Sequence, residues 1–523
     1  MHPAGWLVVA SAVTALPPVA AAQSGAYRTL QGGRELAVEV YRWSGDTLDA
    51  TADVPLAGHR IVTRTVYDAA LEPLAYDLRI FSLATGAQQQ EVQIAFADSA
   101  RIAVNGRPAP LARAVPAPRA VMQNLLWSHV AAIARRLPPS GDASLVLHTL
   151  LVDNAAVLDL TLARQAGRVT ASVGGTEVVL TPAADGGLAS ADVPSQQLRV
   201  ERVPPDSVSA SRPLAVRAPA APPAGVVEEP YQWTDGAQHL SGTLARPAGA
   251  ASRMPVVLIV AGSGPTDRNG NSSLGLASDV YQKLAWALAA RGIASVRYDK
   301  RGVGASPLAG SWGTVSFDDF AQDVVAGARG LAADPRFAGV VLVGHSEGAS
   351  LVTRAANLGA PVAGVVMLAG MGRPLTTVLR EQVTPQLDSA GAAAFERVMA
   401  AYLAPGPMPD VPPDLRALFN ASARRFLQTE SALDPAAEAR RVPVPLLVIQ
   451  GATDIQVGVA DAKALRAARP SADVQILPDA NHLFVHITTR DRAAQLLTYN
   501  DPSLPLVPDL VRLVSGFVER VSR

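Results

Sequence analysis

The pattern of apolar and polar positions changes character near residue 230. Before it, short stretches alternate at period two: 35–41, 60–67, 75–82, 91–96, 144–150, 156–164, 168–173 and 177–180. Turn-forming pairs such as Gly32-Gly33, Gly45-Asp46, Asn105-Gly106 and Gly174-Gly175 separate them. Alternation punctuated this way predicts an antiparallel sheet of hairpins with one buried face. One segment, 120–137, follows a helical period instead, with Leu125, Leu126, Val130, Ile133 and Leu137 on one face. The expected arrangement is a curved antiparallel sheet packed on that helix. His59, His129 and His148 are scattered through it and read as structural or surface histidines.

After residue 230 strand and helix take turns. A hairpin over 231–246 turns at Asp235-Gly236. Strands follow at 254–261, 293–298, 340–343, 362–368, 444–450 and 474–477. Those strands are apolar on both faces, as in a parallel sheet covered on both sides. Helices are predicted at 278–291 (Ser278 or Asp279 as cap, Gly292 as stop), 316–332 (capped by Ser316), 459–468 and 506–521. The expected fold class is therefore α/β, with a mostly parallel, doubly covered sheet and right-handed crossovers, preceded by a smaller antiparallel β-rich domain. Residues 371–441 break the rhythm with helical stretches and a Pro-rich centre. A helical excursion from the carboxyl end of a strand overlies the crevice where such sheets bind ligands, so this reads as a cap. An inert peripheral insertion is the alternative.

Composition adds boundaries and exclusions. Residues 5–19 are mostly apolar and lead into Ala20-Ala21-Ala22, which predicts a signal peptide over 1–22 and an exported protein, periplasmic or secreted. The n-region lacks Lys and Arg, and an apolar N-terminal tail is the alternative. The β-rich domain then spans 23–206, a Pro- and Ala-rich linker 207–230, and the α/β domain 231–523. Lys+Arg and Asp+Glu balance at 45 each, so there is no basic field to attract nucleic acid. No later stretch reaches about 18 uninterrupted apolar residues, so no integral membrane segment is expected. The chain has no cysteine, which excludes disulfides and thiolate chemistry.

Candidate chemistry centres on Gly344-His345-Ser346-Glu347-Gly348, between an apolar strand and a helix. Strand, G-x-S-x-G and helix in that order form a nucleophile elbow, where only small residues fit beside the serine. A serine needs a base, and the base needs an orienting acid. In such a sheet the acid and the histidine follow the serine, each in a loop after a strand. Asp454 follows the 444–450 strand, and His482 follows the 474–477 strand. Asp461 and Asp479 are less favoured acids, the first being inside a helix and the second too near the histidine. His486, four residues after His482, could share a helical face with it. His345 reads as a packing residue. The two oxyanion donors are expected to be the backbone N–H of Glu347 and that of Ser263, with Gly264 second. The latter two lie in the Gly-rich loop 262–271, which lacks a phosphate-binding pattern. The charged turn 297–306 reads as a buried ion-pair turn, with a substrate clamp as the alternative. No metal or cofactor motif is evident.

Ser346, Asp454 and His482, the Gly-Ser-Gly-Pro-Thr-Asp-Arg loop at 262–268 and the 297–306 turn together resemble the α/β-hydrolase superfamily. Within it they are similar to bacterial esterases and serine-aminopeptidase-like hydrolases. The resemblance covers residues 231–523; 27–203 match none of its motifs. It implies a serine hydrolase acting through an acyl-enzyme on a small or moderate-chain ester. A peptidase of the same fold would take short peptides, and Glu381, Asp388, Glu396, Asp410 and Asp414 are the cap acids available to hold a free amino terminus. A third reading makes the N-terminal sheet a binder of an apolar ligand and the hydrolase half vestigial.

Overall fold

The computed structural model describes residues 24–523 except 98–99, 110, 112–113, 215–219, 250–252, 273–275, 413–414 and 417. The expected signal peptide lies outside the described residues. The chain divides into two compact units, the first comprising Met1–Pro55, His59–Phe81 and Gln88–Leu214 and the second the remainder.

The first unit is built on one sheet of fifteen described strands. The chain enters this sheet at its middle. Ser24–Gln31 pairs antiparallel with Arg34–Ser44 on one side and with the last strand, Leu198–Val203, on the other. From there the strands run outward to Arg107–Ala109 at one edge and Arg119–Met122 at the other. The alternation read from the sequence is the burial pattern: Val92, Ile94 and Phe96 face inward while their neighbours are exposed. The helix expected over 120–137 is shorter, Trp127–Ala134, and all eight of its residues are buried. Residues 119–122 instead form a strand parallel to Ala143–Leu151. Two features stop the helix from extending upstream. Asp153 takes hydrogen bonds from the Gln123 amide and from Asn124 N–H (2.9 Å), and Leu125 has a left-handed φ of 66°.

A buried carboxylate holds that helix in the sheet. Glu39 accepts from the N–H groups of Trp127 (2.6 Å) and Ser128 (3.2 Å), two of the donors that a helix start leaves unpaired. Burial pushes its carboxyl up to about 7. The next residue, His129, shares a hydrogen bond with Thr65 Oγ1 (2.9 Å), and burial lowers its imidazole to about 4. His148 lies at the surface beside Asp159.

The strands of the second unit's main sheet are β1 (Val226–Asp235), β2 (Gln238–Pro247), β3 (Met254–Val260), β4 (Ala294–Tyr298), β5 (Phe337–His345), β6 (Gly364–Leu368), β7 (Leu446–Gly451) and β8 (Asp473–Leu477). Their order in the sheet is β1-β2-β4-β3-β5-β6-β7-β8. The hairpin β1–β2 and the β2–β4 pair are antiparallel, and the other neighbours are parallel. Along β3, Val256, Leu258 and Val260 face one core while Val257 and Ile259 face the other. Helices α1 (Val280–Ala289) and α9 (Pro508–Val521) cover the second face; α2 (Phe317–Ala333), α3 (Glu347–Asn357) and α8 (Val459–Ala468) cover the first. Helix α2 starts where expected, with a full capping box between Ser316 and Asp319. Helix α1 starts at Val280, later than expected. Asn271 Oδ1 holds the N–H groups of Ser278 and Asp279 at 2.8 and 3.0 Å, which keeps both outside the helix.

Residues 371–441 contain no strand among the described residues. They form α4 (Leu375–Val383), α5 (Ser389–Leu403), α6 (Arg424–Ser431) and α7 (Pro435–Arg441). Phe395, Met399, Tyr402 and Phe419 give this insertion a small core of its own.

Candidate active site

Ser346 occupies the single residue between β5 and α3, with φ 56° and ψ −122°. That is costly backbone for an L-residue, and it persists only because the surroundings leave no alternative. A Cβ at Gly344 would lie 2.1 Å from the Gly348 carbonyl oxygen. One at Gly348 would lie 2.3 Å from that of Val260, and one at Gly262 would lie 3.1 Å from Ser346 Cβ. Three glycines thus let β3, β5 and α3 close around the serine. Ser346 is half-buried, and its Oγ makes no hydrogen bond among the described residues.

The loops after β7 and β8 bring Asp454 and His482 together. His482 Nδ1 lies 2.8 Å from Asp454 Oδ2, and both side chains are almost fully buried. Asp454 also accepts from Gln450 Nε2 (3.0 Å) and from the N–H groups of Gln456 (2.7 Å) and Val457 (3.0 Å). Burial by itself would raise its carboxyl. The imidazole beside it and these hydrogen bonds outweigh that and hold it below the usual carboxylate range. Neither other acid is used this way: Asp461 is bound by Arg373 and the Gly372 N–H, and Asp479 is exposed in the turn directly after β8. Nor do His482 and His486 share a helical face, because His486 bridges back to Ala480 in an extended turn.

His345 does more than pack. Its Nε2 lies 2.8 Å from the His482 carbonyl oxygen, so Nε2 carries the proton and donates. Its Nδ1 is then the acceptor for the Tyr281 hydroxyl (2.9 Å), which in turn accepts from Gly262 N–H (3.0 Å). Burial first, then the neighbouring His482, lowers the His345 imidazole to about 3, so this tautomer stays neutral. The chain Gly262–Tyr281–His345–His482 ties the Gly-rich loop, the elbow and the histidine loop together. Tyr281 sits 64 residues from His345, and nothing in its spacing announced it.

Of the expected oxyanion donors, Glu347 N–H belongs to the first turn of α3, where N–H groups have no intrahelical partner. Gly262 N–H is taken by Tyr281, whereas Ser263 and Gly264 are exposed at the start of the loop. The 297–306 turn is an ion-pair turn. Arg268 donates to Asp299 Oδ2 (2.6 Å), Arg301 to both oxygens of Asp323 (2.7 Å each), and Lys300 lies 3.3 Å from Glu347 Oε1. The cap acids are engaged too. Glu381 pairs with Arg373, Glu396 pairs with Arg380, and Asp388 caps α5; Asp410 is exposed and Asp414 lies outside the described residues. Sequence reasoning passed over Glu430 on α6, a buried acid with one carboxylate oxygen unpaired. Burial, and then the nearby Glu347, push its carboxyl well above the usual range.

Residues 257–496 match the model of the alpha/beta hydrolase family. That match falls within the C-terminal unit. The chain is 29% identical over 249 residues to the esterase EstD of Thermotoga maritima. The match takes in 47% of this chain and 58% of that relative's length. Similar solved structures include Est1E from Butyrivibrio proteoclasticus with ferulic acid bound (15% identity, 55% of this chain, 96% of that one, TM-score 0.37). A proline iminopeptidase from Mycobacterium smegmatis is similar at 14% identity over 56% of this chain and 99% of its own, with a TM-score of 0.37. No helix among the described residues is long and apolar enough to cross a membrane.

Proposed function

We propose that the protein is a serine hydrolase that cleaves small carboxylic esters through an acyl-enzyme. The observation that carries this reading is the buried His482–Asp454 pair, tied through His345 to the strained serine of the elbow. Asp454 occupies Nδ1, which leaves Nε2 of His482 as the nitrogen to accept the Ser346 proton. Ser346 Oγ attacks the ester carbonyl as its proton passes to Nε2. The carbonyl oxygen takes up the negative charge in front of the N–H groups of Glu347 and Ser263, with Gly264 beside them. Asp454 stabilises the imidazolium. Collapse breaks the bond to the alcohol oxygen, which leaves with the proton from Nε2. Water then attacks the acyl-serine by the same route and releases the acid. The relative EstD is named an esterase, which supports ester hydrolysis as the reaction class.

Turnover of p-nitrophenyl esters of short and medium acyl chains tests this reading. Wild type should hydrolyse them and react with a fluorophosphonate probe at Ser346, and Ser346→Ala should do neither; equal rates in the two proteins would refute it. Export to the periplasm or medium belongs to the same reading, supported by the apolar 5–19 segment and Ala20-Ala21-Ala22. Mature protein beginning at Gln23 in the exported fraction would bear it out.

A further inference from the structure

We propose that Lys300 is a positioning residue for the oxyanion hole, holding one donor through its carbonyl partner and the other through its own side chain. The inference rests on the hydrolase reading above and extends it to a residue with no part in the triad. Lys300 follows β4 and is 3% exposed. Its ammonium donates to the Gly262 carbonyl oxygen at 2.5 Å and lies 3.3 Å from Glu347 Oε1. It also lies 5.7 Å from the centre of the Phe320 ring.

The Gly262 carbonyl and the Ser263 N–H belong to one planar peptide unit. The bond is trans, the single cis peptide among the described residues being Ala117–Pro118. In a trans unit C=O and N–H point in opposite directions. A cation that pins the carbonyl on one side therefore aims the Ser263 N–H out of the other. The same bond withdraws electron density from the amide, which strengthens its N–H as a donor. Tyr281 fixes the preceding N–H of Gly262 at 3.0 Å, so the loop cannot pivot about that residue.

The second donor is the N–H of Glu347, the residue whose carboxylate Lys300 holds. One ammonium thus spans both strand-end loops that supply the hole. Its charge is matched there by Glu347. Burial, and then Glu347, push the carboxyl of Glu430, the other acid close by, well above its usual range, while Lys300 pulls it the other way. A purely structural ion pair with Glu347 would not need the Gly262 carbonyl as well.

Lys300→Met keeps the length and removes the donor; Lys300→Gln keeps a neutral donor. Loss of one oxyanion donor costs about 10²–10³ in kcat, and a misaimed donor costs less. We expect Lys300→Met to lose about 10- to 100-fold in kcat on a p-nitrophenyl ester, with KM within about threefold of wild type. Fluorophosphonate labelling should slow in step, and Lys300→Gln should fall between the two. A kcat within twofold of wild type, or a loss confined to KM, overturns the inference. If Lys300→Met does not fold, Lys300→Gln decides alone: a kcat loss of threefold or more at unchanged KM supports the role, and an unchanged kcat overturns it. An inert wild type would sink the hydrolase reading and this inference with it, whereas an active wild type with an indifferent Lys300→Met would sink only this one.

Discussion

Replacing Asp454 by Asn tests the orientation of His482 more sharply than removing the serine does. The carboxylate accepts four hydrogen bonds: Gln456 and Val457 N–H on Oδ1, Gln450 Nε2 and His482 Nδ1 on Oδ2. An amide offers one oxygen and one NH₂. With the oxygen toward the backbone pair, the NH₂ faces two donors, Gln450 Nε2 and His482 Nδ1. Turned the other way, it faces the two backbone N–H groups. The first arrangement is escaped by moving the imidazole proton to Nε2, which leaves that nitrogen unable to take the Ser346 proton. A wrong tautomer of this kind costs about 10⁴ in kcat, about 5 kcal/mol of transition-state stabilisation. Stability should fall less, by about 2–4 kcal/mol for the opposed donors. Steady-state ester hydrolysis beside a thermal melt separates the two effects. A folded Asp454→Asn protein with kcat within tenfold of wild type would refute the argument, because the aspartate would then have no part in holding the base.

The other predictions rest on sterics and on titration. Gly344→Ala places a Cβ 2.1 Å from the Gly348 carbonyl oxygen, backbone against backbone; it should cost more than about 4 kcal/mol, and soluble protein with an unchanged melting temperature would count against the elbow packing. Gly262→Ala meets Ser346 Cβ at 3.1 Å and the His345 carbonyl oxygen at 3.2 Å, so the loop must shift by a few tenths of an ångström; we expect a roughly tenfold loss in kcat with the fold kept, read by ester turnover and circular dichroism. In the first unit Glu39 holds its proton to about pH 7 when folded and about 4.5 when unfolded. Its contribution is therefore full below pH 4.5 and is lost as pH rises to 7, a change of about 3 kcal/mol. His129 runs the other way: about 4 folded and 6.5 unfolded, full above pH 6.5 and lost as pH falls to 4. Glu39→Gln should unmask the histidine, so that the variant gains stability relative to wild type between pH 4.5 and 7; urea unfolding curves that keep a constant separation across that range would refute it.

Much of the α/β half was legible because its signals are local. Strands buried on both faces read as unbroken apolar runs, as in β3 and β7, and each chemistry-bearing loop directly follows one. The capping box at Ser316 was legible for the same reason, since its partner Asp319 is three residues away. The helix expected over 120–137 failed because its breaker is not local: Asp153 reaches back to residues 123 and 124 from another strand. The clamps around the candidate site are of the same kind. Lys300 meets Gly262 across 38 residues and Tyr281 meets His345 across 64, contacts for which no spacing rule exists. His345 was read as packing because its position beside the serine predicts burial and says nothing of partners on both ring nitrogens.

The pairing of Ser24–Gln31 with Leu198–Val203 bears on how the polypeptide is made. The opening strand leaves the ribosome with one flank satisfied by its hairpin neighbour and the other waiting for a segment more than 160 residues behind it. Until that segment arrives, a row of backbone donors and acceptors stands open to whatever strand comes near. Nascent chains halted short of residue 198 should be the ones that need a chaperone or clump together, and release of only a few more residues should close the gap.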